Sequence, residues 1–225
     1  QQRDQALHFI SHDIRAPNAS SLTLLEMQRN SMEPLQADEL LKRIEKYAQA
    51  SLSMAESFVR LASAQNNEYR VAPLDLASVL QDAVDDAWTQ ASNQEVSVTI
   101  LQIPHSAPCV GDRPLLARAM ANVLNNAIKY SPARGTVRCS LYARGPNWVI
   151  SIHDEGPGID PAQQDRLFKP FSRLHDLTHP NISGVGLGLA LVHTVVKRHG
   201  GSLELESAVG QGAEFRLVLP ASASD

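Results

Sequence analysis

The sequence predicts an α+β protein in which an N-terminal helical hairpin, residues 1–66, precedes an α/β sandwich domain, residues 67–225. Three observations lead to this fold class. Apolar residues recur every three to four positions through the first third of the chain, as in amphipathic helices. The character of the sequence changes at a polar linker, residues 65–70. Beyond it, alternating β-branched segments interleave with helical ones in mixed order, without a strict βαβ repeat.

The hairpin consists of two predicted helices, residues 7–30 and 38–64, separated by a turn that contains Pro34. Asp38 suits the N-cap of the second helix. That helix carries two apolar rows, which indicates burial on more than one side. The rows are Leu41, Ile44, Ala48, Ala55, Phe58 and Ala62, and Leu40, Tyr47, Met54 and Leu61. We therefore expect a homodimer in which two hairpins form a four-helix bundle.

The sandwich domain is predicted to contain five strands and two helices. The strands are expected at residues 96–103, 137–143, 148–153, 203–206 and 214–219, and the helices at 115–129 and 187–199. A Gly-Pro-Asn sequence at residues 145–147 marks a hairpin turn between the second and third strands.

The composition favours a globular protein and argues against several classes. A net charge of −4, with both signs mixed along the chain, lacks the basic footprint of nucleic-acid binding, so we expect no nucleic-acid partner. Cys109 and Cys139 form no metal or disulfide pattern and fit reduced thiols in the cytoplasm. No apolar stretch is long enough to span a bilayer. Because the chain opens on sequence typical of mid-helix, we expect the cytoplasmic part of a longer protein with an upstream sensor or membrane region.

The first of four segments that can carry chemistry lies on a predicted helix, at residues 122–130 (Asn-Val-Leu-Asn-Asn-Ala-Ile-Lys-Tyr). Asn122 and Asn126 are four residues apart and therefore share a helix face. Amide oxygens beside the Lys129 amine suit a hydrated Mg²⁺ ion and a phosphate. Taken alone, the segment is also consistent with an ordinary polar helix face.

The other three segments are rich in glycine. Residues 154–159 (Asp-Glu-Gly-Pro-Gly-Ile) follow a strand, where Asp154 could accept a hydrogen bond from an exocyclic amine. Residues 184–189 (Gly-Val-Gly-Leu-Gly-Leu) open a helix, where backbone N–H groups bind phosphate. Residues 210–215 (Gly-Gln-Gly-Ala-Glu-Phe) lie between two strands. Considered separately, residues 154–159 and 210–215 also fit simple turns. Residues 184–189 alone are weak evidence, because they match neither the Rossmann fingerprint nor a Walker loop.

In this order and spacing, the four segments resemble the nucleotide-binding motifs of the sensor histidine kinases, which belong to the ATPase superfamily of gyrase, Hsp90 and MutL. Residues 167–173 (Leu-Phe-Lys-Pro-Phe-Ser-Arg) resemble that family's segment at the root of a mobile lid, which would span residues 168–183. Residues 9–17 (Phe-Ile-Ser-His-Asp-Ile-Arg-Ala-Pro) look like its phosphoacceptor motif. The helical pattern agrees, because it puts His12 at the outermost heptad position. The resemblance covers nearly the whole chain.

The resemblance implies an ATP-dependent protein-histidine kinase of a two-component system. His12 would attack the γ-phosphate of ATP, since neutral imidazole, with a pKa of about 6.5, is a competent nucleophile near pH 7. Asp13 would orient the imidazole and act as base. The phosphoryl group would then pass to an aspartate of a response-regulator receiver domain.

The resemblance also implies ATP and Mg²⁺ as ligands of the sandwich domain. Asn126 would bind Mg²⁺, with Asn122 in support. Lys129 and Arg173 would offset phosphate charge, Tyr130 would pack near the adenine, and Asp154 would accept its amine hydrogen bond. The remaining residues implied in nucleotide binding are Gly156, Gly158, Phe168, Phe171, Gly184, Gly186, Leu187, Gly188 and Gly212.

Three other functions share part of this pattern. A chaperone or a DNA-repair or DNA-topology ATPase of the same superfamily would have the nucleotide motifs but no need for His12-Asp13 ahead of Pro17. A degenerate scaffold that only dimerises and docks partners is disfavoured by the intact Asn126 and Asp154. A protein-serine kinase would lack the acceptor histidine.

Two positions depart from the family's pattern. Ala213 stands where a hydroxyl residue is common, so that corner of the site differs. Ala16 stands where relatives that also dephosphorylate their partner carry Thr or Asn, whose side chain is thought to position the attacking water. A methyl group makes no hydrogen bond. We therefore expect kinase and phosphotransfer activity with weak phosphatase activity, unless Asn18 or Ser20 supplies the missing group.

Overall fold

The computed structural model describes residues 15–31, 35–66, 69–164, 167–168 and 187–222. The helices are α1 (Arg15–Asn30), α2 (Ala37–Asn66), α3 (Leu76–Asn93), α4 (Arg113–Tyr130), α5 (Pro161–Gln164) and α6 (Gly188–Arg198). The strands are β1 (Ala72–Asp75), β2 (Ser97–Gln102), β3 (Pro108–Gly111), β4 (Thr136–Arg144), β5 (Asn147–Asp154), β6 (Ser202–Ser207) and β7 (Ala213–Pro220). No helix in the described part of the chain is long and apolar enough to cross a membrane.

Helices α1 and α2 pack against each other, and a side-chain amide ties the end of α1 to the chain ahead of α2. Gln28 Nε2 donates to Leu35 O, and Leu35 N–H donates back to Gln28 Oε1, both at 2.8 Å. Farther along, Ser51 Oγ donates to Asn18 Oδ1 at 3.3 Å. These bonds fix the register of the two helices.

The predicted N-cap of the second helix is wrong by about half a turn. Helix α2 begins at Ala37, because Leu40 N–H already donates to Gln36 O at 3.0 Å. Asp38 therefore lies in the first turn, where its charge still favours the helix dipole, and it pairs with Lys42 at 2.6 Å.

The side chains of α2 that the structure describes form two rows, whose members combine residues of both predicted rows. The predicted members Met54, Phe58, Leu61 and Ala62 lie outside the described side chains. One row is half-buried and consists of Leu40, Ile44, Tyr47, Ser51 and Ala55. The other is exposed and consists of Leu41, Ala48, Leu52 and Val59, spaced by seven, four and seven residues. The exposed row has the spacing of a coiled-coil seam. The dimeric bundle that would cover this row stays a prediction.

The sandwich domain contains a five-stranded mixed sheet in the order β2-β4-β5-β7-β6, which confirms the predicted α+β class. Strand β2 is parallel to β4, and the other neighbours are antiparallel. Strands β1 and β3 form a separate antiparallel pair. Helix α4 packs between α3 and α6, and these three helices cover one face of the sheet. The largest fully buried side chains lie between the layers and include Leu80, Met120, Ile128, Leu141, Ile152 and Leu217.

The opposite face of the sheet carries charged side chains. Along β4, Val137, Cys139 and Leu141 are buried, whereas the intervening residues are only half-buried. Ion pairs tie the strands together on this face: Arg138 with Glu155, Arg144 with Glu204, and Arg216 with Glu206 and Glu214. One face therefore forms the core, and the other is polar, as in many antiparallel sheets.

Candidate functional site

The fold brings three segments together around the C-terminal half of α4. Gly188, at the start of α6, lies against Asn122, and an added Cβ there would be 3.1 Å from Asn122 Oδ1. Gly156 lies against the end of the same helix, where a Cβ would be 2.8 Å from Tyr130 O. Residues that are 26 and 66 positions apart in the sequence, Tyr130 with Gly156 and Asn122 with Gly188, are thus neighbours at one end of the helical layer.

The fourth segment packs against the second at two glycines. Gly212 has a φ of +74°, and a Cβ there would lie 1.9 Å from Asp154 O. Gly158 has a φ of +70°, and a Cβ there would lie 1.9 Å from Ala208 O. A side chain at either position would be both strained and in collision with backbone. Glycine is therefore required for the two loops to approach this closely.

Ser207 joins the same two loops by hydrogen bonds. Its Oγ donates to Gly212 O at 2.6 Å and accepts from Ile159 N–H at 2.9 Å. Gly210 N–H donates to Pro157 O at 2.7 Å. The loops after β5 and before β7 consequently form one connected block. Ser207 was not identified in the sequence, where nothing near it signals this role.

Asp154 ends strand β5 and is only 5% exposed. Its Oδ1 accepts from Gly156 N–H at 2.8 Å and from Ala213 N–H at 3.2 Å. Burial raises the pKa of this carboxyl above its usual value, while the two N–H donors and His153 partly offset that effect. Among the described residues, all recorded donors to this carboxylate use Oδ1, which leaves Oδ2 as an acceptor for a ligand.

Asn122 of α4 faces the start of α6, and Asn126 follows one turn later on the same side of the helix. Asn122 and Asn126 are half-buried, whereas Asn125 is exposed. Asn122 Nδ2 donates to Arg118 O at 2.9 Å, which directs its Oδ1 towards Gly188. Within the described part of the chain, no hydrogen bond is made by the Asn126 amide. Its amide oxygen is therefore available as a ligand at the edge of the site.

The donor set fits magnesium better than a transition metal. In the described residues there is no group of three or more His, Cys, Asp or Glu side chains that could hold a metal ion. Mg²⁺ keeps several waters and binds one or two protein oxygens together with substrate phosphates. A half-buried amide such as that of Asn126 is compatible with this mode of binding.

Two further predicted residues lie at the C-terminal end of α4. Lys129 Nζ is 5.2 Å from the centre of the Tyr130 ring, within range of a cation–π contact. Both side chains are half-buried. An amine and an aromatic ring thus lie one turn beyond Asn126, beside the backbone contact between Tyr130 and Gly156.

Phe168 stacks on His193 of α6, with ring centroids 5.9 Å apart at an angle of 25°. Leu187, immediately ahead of the same helix, is buried. His193 was missed in the sequence, although its place on the helix that opens at Gly188 could have indicated it. Six predicted site residues lie outside the described residues: His12, Asp13, Phe171, Arg173, Gly184 and Gly186.

A mixed sheet covered by three helices, with glycine loops gathered beside paired asparagines and a buried aspartate, defines a nucleotide-binding class of α/β sandwich. Residues 111–223 match the family model described as histidine kinase-, DNA gyrase B- and HSP90-like ATPase. The chain belongs to this family.

Relatives within the family carry sensor-kinase names. The adaptive-response sensory kinase SasA of Synechocystis is 31% identical over 229 residues, which cover 97% of this chain and 59% of SasA. The solved mycobacterial sensor histidine kinase MprB is 33% identical, with a TM-score of 0.58 over 69% of this chain and all of that one. The chain thus spans about three-fifths of the length of SasA.

The histidine kinase ThkA, solved with the response regulator protein TrrA, has a TM-score of 0.77 over 97% of this chain and 61% of that one. At 17% identity, this likeness shows a shared fold.

Proposed function

We propose that this chain is the kinase part of a sensor histidine kinase, which phosphorylates His12 with ATP and then passes the phosphoryl group to a response-regulator receiver domain. One observation carries the proposal: the glycine segments, Asp154 and the asparagine face of α4 are separate in the sequence and adjacent in the fold. The sensor-kinase names of the relatives support it.

Asp154 and its surrounding loops are assigned to the adenine. The ionised carboxylate has Oδ2 available, and the exocyclic amine of adenine is a donor that matches it. Gly156, Gly158 and Gly212 keep side chains out of this corner, and Tyr130 packs near the base. Specificity for adenine follows, because a base with an acceptor at that position would face the carboxylate oxygen.

The asparagine face of α4 is assigned to the metal and the phosphates. Asn126 would hold Mg²⁺ through its amide oxygen, with Asn122 in support. Mg²⁺ held there would supply positive charge that offsets the negative charge developing on the phosphates during transfer. Lys129 and Arg173 add positive charge, and the N–H groups at the start of α6 face the phosphates.

In the transfer step, the lone pair of one His12 ring nitrogen forms a P–N bond to the γ-phosphorus. The bond from that phosphorus to the bridging oxygen breaks, and ADP leaves. Asp13 accepts the proton from the opposite ring nitrogen. In the second step, a receiver-domain carboxylate oxygen attacks the same phosphorus and the P–N bond breaks. Asp13 returns the proton to the ring, so that His12 becomes neutral imidazole again.

The partner and setting are proposed from relatives. ThkA was solved with a response regulator protein, which is the kind of partner we propose here. Because the chain spans 59% of SasA, the proposal also includes an upstream sensor or membrane region in the full protein, with this part in the cytoplasm. We further propose a homodimer through the two N-terminal helices, and weak phosphatase activity because Ala16 replaces Thr or Asn.

The test is incubation with γ-labelled ATP and Mg²⁺. We expect label on His12 that is lost in acid and survives base, as phosphohistidine does. His12→Gln should bind ATP normally and take up no label, whereas Asn126→Ala should fold normally and lose metal-dependent labelling. Label on His12→Gln at the native level would refute the assignment of the acceptor. Labelling of Asn126→Ala with unchanged Mg²⁺ dependence would refute the assignment of the metal ligand.

A further inference from the structure

The C-terminal end of α6 holds the chain where it enters the sandwich domain. The Tyr69 ring meets the His199 imidazole edge-on, with centroids 4.9 Å apart at an angle of 77°. The guanidinium carbon of Arg198 lies 5.0 Å from the centre of the same ring. One residue later, Arg70 N–H donates to Asp112 Oδ2 at 3.1 Å. We name these five residues, Tyr69, Arg70, Asp112, Arg198 and His199, the linker clamp.

Both ring nitrogens of His199 are engaged. Nε2 accepts from Asp112 N–H at 3.0 Å, so Nδ1 carries the proton and donates to Val195 O at 2.8 Å. The imidazole lies directly on the backbone of Gly111, where a Cβ would be 2.5 Å from His199 Cδ2. A side chain held in this way is a rigid surface for Tyr69 to pack against.

Asp112 fixes the linker and the start of α4 with one carboxylate. Its Oδ1 accepts from Leu115 N–H at 3.1 Å and caps the helix, while its Oδ2 accepts from Arg70 N–H. Asp112 is 7% exposed, so these bonds are shielded from water. Burial, with a smaller effect of the Asp112 charge, raises the pKa of Tyr69 to about 12. Tyr69 therefore remains neutral in the clamp near pH 7.

Helix α6 joins the clamp to the candidate nucleotide site. Gly188 at its first residue touches Asn122, and Arg198 at its last residue lies over Tyr69. Its 11 residues span about 16 Å at 1.5 Å per residue. The helix also packs against α2, α4 and the β6–β7 side of the sheet. Because this helix is a rigid element, the clamp and the nucleotide site keep a fixed position relative to each other.

We propose that the linker clamp determines where the nucleotide site lies relative to the N-terminal helices, with Tyr69 as a positioning residue for phosphoryl transfer. Helix α2 ends at Asn66, so two residues connect it to the clamped Tyr69. A connection this short restricts the positions that the sandwich domain can reach. Loss of the clamp lengthens the free connection and lowers the chance that ATP meets His12. This inference rests on the proposed kinase function.

The main experiment separates transfer from nucleotide binding. In Tyr69→Ala, the rate of His12 phosphorylation at saturating ATP should fall about tenfold, since small misplacements of reacting groups cost rate steeply. The dissociation constant for ATP should change by less than about twofold, because no clamp residue is assigned to the nucleotide. Tyr69→Phe keeps the ring and should phosphorylate normally. Tyr142→Ala, at a half-buried tyrosine on strand β4, is the matched control and should behave like the unmodified chain.

A second pair of variants tests the clamp without removing a ring. Arg70→Pro deletes the N–H that Asp112 accepts, whereas Arg70→Ala keeps it. We expect Arg70→Pro to lose rate as Tyr69→Ala does and Arg70→Ala to keep it. Native rates in Tyr69→Ala and Arg70→Pro, or an equal loss of ATP affinity in both, would overturn the proposal.

Failure of the clamp and failure of the proposed function give different results. If the unmodified chain never phosphorylates His12, the proposed function fails. Amide hydrogen exchange at Arg70 then tests the clamp, because Tyr69→Ala should speed exchange there and Tyr142→Ala should not. Equal exchange in Tyr69→Ala and the unmodified chain would overturn the clamp itself.

Discussion

Asp154 is a buried carboxylate. The two described N–H groups that donate to it, those of Gly156 and Ala213, both bind Oδ1. Its raised pKa means that the folded chain favours the protonated form relative to the unfolded chain. Its contribution to stability is therefore present at low pH and is lost as the pH rises through the folded pKa. At neutral pH the ionised Asp154 lowers stability. Ionisable groups whose pKa is shifted by burial are typical of ligand sites.

We predict that Asp154→Asn keeps the fold and loses the nucleotide. The Asn oxygen can still accept from Gly156 and Ala213, and the charge that burial penalises is gone, so the melting temperature without nucleotide should stay the same or rise. Affinity for ADP should fall about tenfold or more, because an NH₂ group would face the adenine amine. Melting curves and titration calorimetry with ADP measure both effects.

The control for this prediction is Asp85→Asn, at an exposed carboxylate on α3. It should change neither property. Native ADP affinity in Asp154→Asn would assign Asp154 a purely structural role.

The second prediction for a single residue concerns Ala16 and phosphatase activity. Ala16→Thr should raise the rate at which the chain dephosphorylates its phosphorylated regulator, about tenfold if one hydrogen bond to water is restored. The measurement is phosphate release from a purified phospho-regulator with ADP, with and without the protein. Ala16→Val, which has nearly the shape of Thr without the hydroxyl, is the matched control and should remain weak.

Strong phosphatase activity of the unmodified chain would contradict this prediction. Asn18 would then be the first alternative to test, although its Oδ1 already accepts from Ser51.

Residues of the candidate site were predictable to the extent that they belong to local motifs. Asn126 and Asp154 stand in short segments whose order resembles a family pattern. Ser207 and His199 stand in no such segment. Ser207 acts through Ile159, 48 residues away, and His199 acts through Asp112, 87 residues away. A single sequence shows no such pairing, so the second layer of contacts could only be found in the structure.

Among the elements, those with strong apolar alternation were predicted and those without it were missed. Strand β4 alternates along most of its length and β7 over its first half, whereas β1 and β3 have four residues each and contain proline. Helix α3 was missed because its inward face is largely alanine, namely Ala77, Ala83, Ala87 and Ala91. Alanine packs well in a helix and contributes little to a hydrophobic pattern.

His199, directly after α6, leads to a prediction of how the stability of the fold depends on pH. Burial lowers the pKa of His199 below its usual 6.5, and Arg198 adds to this, while the bond to Val195 and the Asp112 charge oppose it. The other groups in contact are the neutral Tyr69 ring and the backbone of Gly111. Protonation would place a second N–H against Asp112 N–H. His199 therefore stabilises the fold above about pH 6.5, and this contribution is lost as the pH falls below that value.

We expect the free energy of unfolding to decrease below pH 6.5 with a slope that His199 increases, by up to about 1.4 kcal/mol per pH unit for one proton. The free energy of unfolding is measured in urea for the unmodified chain and for His199→Gln at a series of pH values. The difference between their slopes against pH is the contribution of His199. Identical slopes would show that His199 takes up its proton equally in the folded and unfolded chains.

For the whole molecule, the exposed row on α2 predicts association. Leu41, Leu52 and Val59 are each more than 60% exposed in the single chain, and so are Leu22 and Met27 of α1. We predict a dimer in sedimentation at about tens of micromolar, the range in which weak bundles assemble. Leu52→Glu with Val59→Glu should give a monomer, because charges at the seam resist burial.

The matched control is Val209→Glu, at a valine that is 70% exposed in the sandwich domain. It should leave the dimer intact. A monomer in the unmodified chain at these concentrations, or a dimer that survives the double change on α2, would contradict an interface along this row.

Strand β3 has a practical consequence for protein engineering. Its partner β1 brings the chain into the sandwich domain, and Ser222 N–H, beyond the last strand, donates to Pro108 O at 3.2 Å. Strand β1 begins beside Gly111 and ends beside Pro108, so Ser222 lies at the far end of the same four-residue strand pair, about 10 Å from the entry of the chain. The two cuts needed to graft this domain onto the helices of another protein therefore fall within about one strand length of each other, and a fluorescent reporter fused after residue 222 would lie near the graft junction.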